Sequence, residues 1–239
     1  MNRFRVTRSV IPNLFTSMNM FAGFISIIYS SEGRYINAAW LIIIAGIFDA
    51  LDGVMARLTK SSSELGVELD SLSDIVSFGA APSFLIYSTY LNKFNSIGIV
   101  ISSFLMLAGG FRLARFNIQT TGFEKKSFKG LPIPISAITV SGFVLAFFDQ
   151  SSGFNKPYSF YIIPLIILLS LLMVSRIKYD SFPKFTSKGL KEKPFHIIFI
   201  AASLIILYIT SAQALFFIFA IIILFGIFRH IFIFFSKKK

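Results

Sequence analysis

Six of the chain's eleven acidic residues fall between positions 49 and 74: Asp49, Asp52, Glu64, Glu68, Asp70 and Asp74. Asp49 and Asp52 interrupt an apolar run, and Asp70 and Asp74 open the next one. A carboxylate at membrane depth costs roughly 2.5 kcal/mol or more, so such residues are functional candidates by default. Asp49, Asp52 or Gly53, and Ala56 recur at helical spacing, as do Gly66, Asp70, Asp74 and Ser77 on the following segment. The polar link 58–65 folds these two faces into an antiparallel pair, which brings four carboxylates into one small volume. Left alone they would repel one another, and a divalent cation relieves that repulsion. Oxygen donors without His or Cys favour Mg²⁺, Mn²⁺ or Ca²⁺ over zinc.

The neighbours of the aspartates fit a phosphate ligand. Gly53, Ala56 and Gly66 let a bulky group approach the backbone. Arg57, at the end of its helix, is placed to meet a phosphate bidentately. Buried salt bridges to Arg57 and Lys60 are the structural alternative, but two cations cannot neutralise six acids. A cation-coupled transporter with proton-relay carboxylates is the second alternative, and it leaves the glycine spacing unexplained.

The elements that carry these residues are membrane helices. Of the 239 residues, 55% are hydrophobic and 14% charged, 30 are Phe, and the mean hydropathy is +0.75. A soluble domain carries about a quarter charged residues. There is no cysteine, which excludes disulfides, thiolate metal sites and cysteine nucleophiles. The pattern predicts an all-α polytopic bundle of about eight spans, at 11–30, 37–58, 69–91, 95–114, 131–148, 158–175, 195–210 and 213–235. One integral membrane domain, 1–239, divides into a catalytic bundle (1–175), a basic loop (176–194) and a C-terminal helical hairpin (195–235). The N-terminal segment carries no small-residue cleavage site and reads as the first span rather than a signal peptide.

Eight spans put both termini on one side, together with 20 of the 23 basic residues; only Arg34, Lys93 and Lys156 fall opposite. That asymmetry places the termini and basic loops in the cytoplasm. The net charge of +12 is therefore a topology and lipid-headgroup signal, and no nucleic-acid partner is expected. Arg112 and Arg115, at i and i+3 near the end of the fourth span, and Lys129 are either further topology charges or contacts for an anionic group. The Arg choice favours a carboxylate or phosphate contact for the first two. Asn13, Thr16 and Asn19 share a face of the first span, either lining the cavity or bonding between helices. His196 and His230 lie near other helix ends and are read as interfacial.

Written out, Asp49-x-x-Asp52-Gly53-x-x-Ala56-Arg57, eight residues, then Gly66-x-x-x-Asp70-x-x-x-Asp74 resembles the complete signature of the CDP-alcohol phosphotransferase family. Three further strings, Ile11-Pro12-Asn13-Leu14-Phe15-Thr16-x-x-Asn19-x-x-x-Gly23, Gly110-Phe111-Arg112-Leu113-Ala114-Arg115-Phe116-Asn117 and Phe128-Lys129-Gly130-Leu131-Pro132-Ile133-Pro134, resemble its phosphatidylserine synthase branch. The resemblance spans about residues 10–135. It implies Asp49, Asp52, Asp70 and Asp74 as ligands of Mg²⁺ or Mn²⁺, with Asp74 also the general base. It further implies Gly53, Ala56, Arg57 and Gly66 at the CDP group; from their positions, Asn13 and Thr16 are candidates to line the nucleotide cavity, and Arg112, Arg115 and Lys129 are candidates for the acceptor. The implied reaction joins CDP-diacylglycerol and L-serine into phosphatidylserine and CMP by direct displacement, in a homodimer with its site open to the cytoplasm. Glycerol 3-phosphate, inositol phosphate or an ether-lipid donor would change the substrate but not the chemistry.

Overall fold

The computed structural model describes residues 10–59, 63–120, 130–177, 179 and 213–236, and nearly all of them are helical. Helices α1 (Val10–Ser31) and α2 (Tyr35–Thr59) form an antiparallel hairpin. Gly33 turns the chain between them at φ 77°, a conformation open to glycine. Small side chains at the seam (Ala22, Ala38, Ala39 and Ala45) are buried and let the two backbones close up, and Ser26 Oγ donates to the Ala38 carbonyl at 2.9 Å.

Helix α3 (Glu64–Asp74) starts on Ser63, whose hydroxyl accepts the Gly66 N–H at 3.0 Å. It passes through a π-helical turn, Ile75–Ala80, into α4 (Ala81–Thr89), making one apolar run over Glu64–Thr89. The widened turn has a local cause. Pro82 has no N–H, and its ring would crowd the carbonyl four residues back, so the Ala81 N–H bonds to Val76 O instead. A 3₁₀ turn, Leu91–Phe94, leads to α5 (Asn95–Thr120), which is followed by α6 (Ile133–Phe147), α7 (Tyr158–Val174) and α8 (Gln213–Ser236).

The core runs through the middle of this bundle, with Ile42, Phe78, Leu85, Leu105, Ile133 and Ile166 all essentially inaccessible. Large apolar side chains also point outward along the helices, Phe21, Phe24, Ile97, Phe111, Phe228 and Phe232 among them. Such a surface fits lipid rather than water. Among the described residues, five helical runs are long and apolar enough to cross a bilayer: Val10–Ser31, Tyr35–Thr59, Glu64–Thr89, Leu91–Ile118 and Ala214–Phe232. The expected spans at 131–148 and 158–175 are shorter helices of 15 and 17 residues, and the one at 195–210 lies outside the described residues, as does most of the 176–194 loop. The third span begins earlier than periodicity suggested, because capped, half-polar Glu64–Glu68 continues the same helix.

The two ends of the bundle differ. At one end, a short antiparallel hairpin, β1 (Phe148–Asp149) and β2 (Gly153–Phe154), joins α6 to α7. Rings of Tyr35, Tyr90, Phe147, Phe148, Phe154 and Tyr158 pack edge-on or stacked around it. Aromatic clusters of this kind suit the membrane–water interface. The other end gathers the start of α1, the end of α2, the start of α3 and the end of α5, and there the aspartates lie.

Candidate active site

Helix α1 organises the site from behind. Gly23 packs on α3–α4 so closely that an added Cβ would lie 2.6 Å from Ser77 Cα. That contact lets Ser77 Oγ donate to Asn19 O at 2.8 Å and, one turn earlier, Ser73 Oγ donate to Thr16 O at 3.0 Å. The two serines fix the rotation of α3 and so turn Asp70 and Asp74 toward α2. There, Asp49, Asp70 and Asp74 each present a carboxylate oxygen within 4.8 Å of the other two. Asp74 is buried and Asp49 and Asp70 half-buried.

Asp52 stands apart from that trio, although the sequence led us to expect all four to converge. Its Oδ2 accepts a hydrogen bond from Thr16 Oγ1 at 3.0 Å, and its repulsion with Asp70 and Asp49 keeps it electrostatically part of the cluster. Lying one helical turn beyond Asp49, Asp52 is captured by the hydroxyl of α1. Thr16, expected at the nucleotide, thus supports a carboxylate in this structure, its single hydroxyl proton shared between Asp52 and the Pro12 carbonyl at 3.1 Å.

The remaining expected residues divide clearly. Asn13 and Gly66 meet: the Asn13 side-chain oxygen lies 3.3 Å from where a Gly66 Cβ would stand. Gly53 has open space on its Cβ side, with nothing within 4 Å. Ala56 is half-buried and Arg57 exposed at the end of α2. Arg112 leans into the site from α5, close enough for its charge to bear on Asp74, and its buried Nε lacks a hydrogen-bond partner among the described residues. Arg115 is committed elsewhere. Its guanidinium donates to the carbonyls of Val174 at 2.9 Å, Ser175 at 3.2 Å and Met173 at 3.4 Å, capping α7. It stands at the wall of a cavity of about 190 Å³ lined by Phe111, Arg112, Arg115 and Val174. Lys129 lies outside the described residues.

Sequence reasoning missed two supporting contacts. Asn117 Nδ2 donates to Ser71 Oγ at 3.0 Å, tying α5 to α3 beside Asp70. Gly130, at φ 92°, hangs the entry to α6 on the end of α7, its N–H bonded to Ile177 O at 2.8 Å and the Leu131 N–H to Leu172 O at 3.0 Å. The hydroxyls at 73 and 77, four apart and interleaved with the aspartates, were the legible signal for the α1 contact.

The donor chemistry fits a hard divalent cation. Every donor of the trio is a carboxylate oxygen, and Asp70 Oδ1 and Asp74 Oδ1 are buried without a hydrogen-bond partner among the described residues. Buried polar atoms in native proteins are almost always satisfied, so orphaned anionic oxygens mark a place for a cation.

An all-carboxylate cluster set among membrane helices, with an arginine charge bearing on it, is a setting for a hard divalent cation. The chain belongs to the CDP-alcohol phosphatidyltransferase family, whose model matches residues 9–174. It is 38% identical over 237 residues, 96% of each chain, to a CDP-diacylglycerol–serine O-phosphatidyltransferase of Helicobacter pylori. It is 40% identical over 182 residues to an archaetidylserine synthase of Methanothermobacter thermautotrophicus, covering 75% of this chain and 73% of that one. A Bacillus subtilis CDP-diacylglycerol–serine O-phosphatidyltransferase is 35% identical over 188 residues, 76% of this chain and 96% of that one.

Proposed function

We propose that the protein transfers the phosphatidyl group of CDP-diacylglycerol to L-serine, releasing phosphatidylserine and CMP. The observation that carries this reading is the buried Asp49–Asp70–Asp74 cluster in a chain 38% identical, end to end, to a serine phosphatidyltransferase. Asp49, Asp52, Asp70 and Asp74 would hold one or two divalent cations, Mg²⁺ or Mn²⁺. A cation bound there supplies charge neutralisation for the diphosphate and for the leaving CMP.

The protein's own groups do the rest. Open space at Gly53 and the Asn13–Gly66 contact form a floor for the cytidine diphosphate, with Arg57 at its outer edge. Asp74, the most buried of the trio, takes the proton of the serine hydroxyl. The serine oxygen then bonds to the phosphorus that carries diacylglycerol, as the bond from that phosphorus to the CMP oxygen breaks. Arg112, which lines the cavity at the end of α5 and whose charge bears on Asp74, receives the serine carboxylate. Arg115 positions it by fastening α5 to α7. Acyl chains stay in the bilayer, against the apolar outer faces of the helices.

The membrane is the cytoplasmic membrane, crossed eight times, with the site and both termini on the cytoplasmic side; the distribution of 20 of 23 basic residues supports this. The enzyme works as a homodimer, a reading that rests on resemblance alone. The archaetidylserine relative favours a second reading, in which serine is the acceptor and the donor lipid differs. The test is to incubate membranes with CDP-diacylglycerol, a divalent cation and labelled serine, with glycerol 3-phosphate and inositol phosphate in parallel. Label should enter lipid from serine alone. Incorporation of another acceptor in its place would overturn the assignment to serine.

A further inference from the structure

Helix α3, with the π-helical turn that extends it, lies antiparallel against α5, and their contacts give the register. A Cβ on Gly79 would stand 3.5 Å from Met106 Cα, and one on Gly110 would stand 3.5 Å from Ile75 Cδ1. Further along, Asn117 Nδ2 donates to Ser71 Oγ at 3.0 Å, and Ser71 Oγ itself donates to Val67 O at 3.1 Å. Position 79 therefore pairs with 106, 75 with 110 and 71 with 117. Asp74 and Arg112 both fall between the last two pairs, so they stand level, in keeping with the Arg112 charge that bears on Asp74. The two glycine contacts are apolar and govern how closely the helices approach. The Asn117–Ser71 bond is directional and governs how α5 is turned and shifted along α3.

We propose that Asn117 is a positioning residue for the acceptor: through Ser71 it holds Arg112 level with Asp74, so that serine bound by its carboxylate presents its hydroxyl to the base. This rests on the reading of Arg112 as the carboxylate contact and Asp74 as the base. Serine makes the geometry demanding, because a single carbon joins its carboxylate to the arm that carries the hydroxyl and leaves little reach to spare. A slip of one residue along α5 moves Arg112 by about 1.5 Å, enough to take the hydroxyl out of the roughly 3 Å that proton transfer requires. The trio itself is held from the other side, by the bonds of Ser73 and Ser77 to α1, so Asn117 bears on the acceptor and not on the cation.

The test is steady-state kinetics on the full chain in detergent or nanodiscs, with Mn²⁺ affinity measured separately without substrate. Asn117→Ala should lower kcat/KM for serine roughly three- to tenfold, with KM for CDP-diacylglycerol and Mn²⁺ affinity unchanged. Ser71→Ala should do the same, and the double variant should be no worse than either single one, since both remove the same bond. Ser71→Thr, which keeps the hydroxyl, should retain most of the serine activity. If Asn117→Ala does not accumulate as folded protein, Ser71→Ala carries the same expectation. Unchanged serine kinetics in folded Asn117→Ala, additive losses in the double variant, or an equal loss of Mn²⁺ affinity would overturn the role of Asn117. Should Arg112→Lys leave serine kinetics intact, the reading of Arg112 falls and the proposal with it. A loss in Arg112→Lys without one in Asn117→Ala would leave that reading standing and overturn only the role of Asn117.

Discussion

Asp149 and the Asp49–Asp70–Asp74 trio are carboxylates at opposite ends of one bundle, in opposite states. Asp149 is exposed, in the hairpin between α6 and α7. Its Oδ1 accepts the N–H groups of Ser151 and Ser152, both at 2.9 Å, and both serine hydroxyls as well. Those donors, the Ser151 hydroxyl foremost, hold its pKa down at about 2. The trio has burial and mutual repulsion instead, and Asp70 Oδ1 and Asp74 Oδ1 have no hydrogen-bond partner among the described residues. A satisfied acid holds a turn together; acids left unsatisfied within the fold are kept for a ligand. The arginines of α5 repeat the contrast three residues apart: Arg115 donates to the carbonyls of residues 173–175 at the end of α7, whereas Arg112, whose charge bears on Asp74, has a buried Nε without a partner among the described residues.

Substitutions on each side of this contrast should separate function from stability. The largest effect is expected for Asp74→Asn, which keeps the shape and removes base and charge. CMP release should fall at least about a thousandfold, while the metal-free protein melts no lower than wild type, because one repelling buried charge is gone. A variant that loses activity only by unfolding would break the contrast. Arg112→Lys comes next. Losing a planar charged donor should lower kcat/KM for serine roughly 10- to 100-fold with little change in melting temperature, read from a serine titration.

Arg115→Leu should do the reverse. Loss of its bonds to the α7 carbonyls should cost about 1–3 kcal/mol in a denaturation experiment, with a smaller effect on KM. A serine KM shift as large as that of the Arg112 variant would show Arg115 to be a substrate contact after all. Smallest is Asp149→Asn, which should leave CMP release unchanged. Because the folded pKa of Asp149 lies below its ordinary 3.8, its stabilising contribution is complete above about pH 4 and fades as pH falls toward 2. Wild type and variant should therefore differ in melting temperature at neutral pH and converge in acid.

The closeness of the carboxylate trio in the candidate site was legible in the sequence because it is local. Asp49, Asp70 and Asp74 lie on two adjacent helices at helical spacing, so their meeting was legible, whereas Asp52 is held apart by Thr16 of α1. What depends on distant partners was not legible. Arg115 finds its acceptors some sixty positions on, at residues 173–175, and no spacing rule connects them. Thr16 reads equally well as a ligand contact or an interhelical bond until α1 is placed beside Asp52. The π-helical turn after Asp74 follows from Pro82, which sequence periodicity treated as a tolerated interruption. The shortness of α6 comes from prolines at its start and a hairpin at its end, where hydropathy alone reads a longer span.

The central claim is that the carboxylate cluster works with a divalent cation to move a phosphatidyl group. The most direct measurement is CMP release from CDP-diacylglycerol and serine by purified protein stripped with chelator, then titrated with Mg²⁺ or Mn²⁺, beside Asp70→Asn. Release should be absent from stripped wild type, return saturably with the cation, and stay near background in the variant at the same concentrations. Undiminished release after stripping, or equal restoration in Asp70→Asn, would contradict the account.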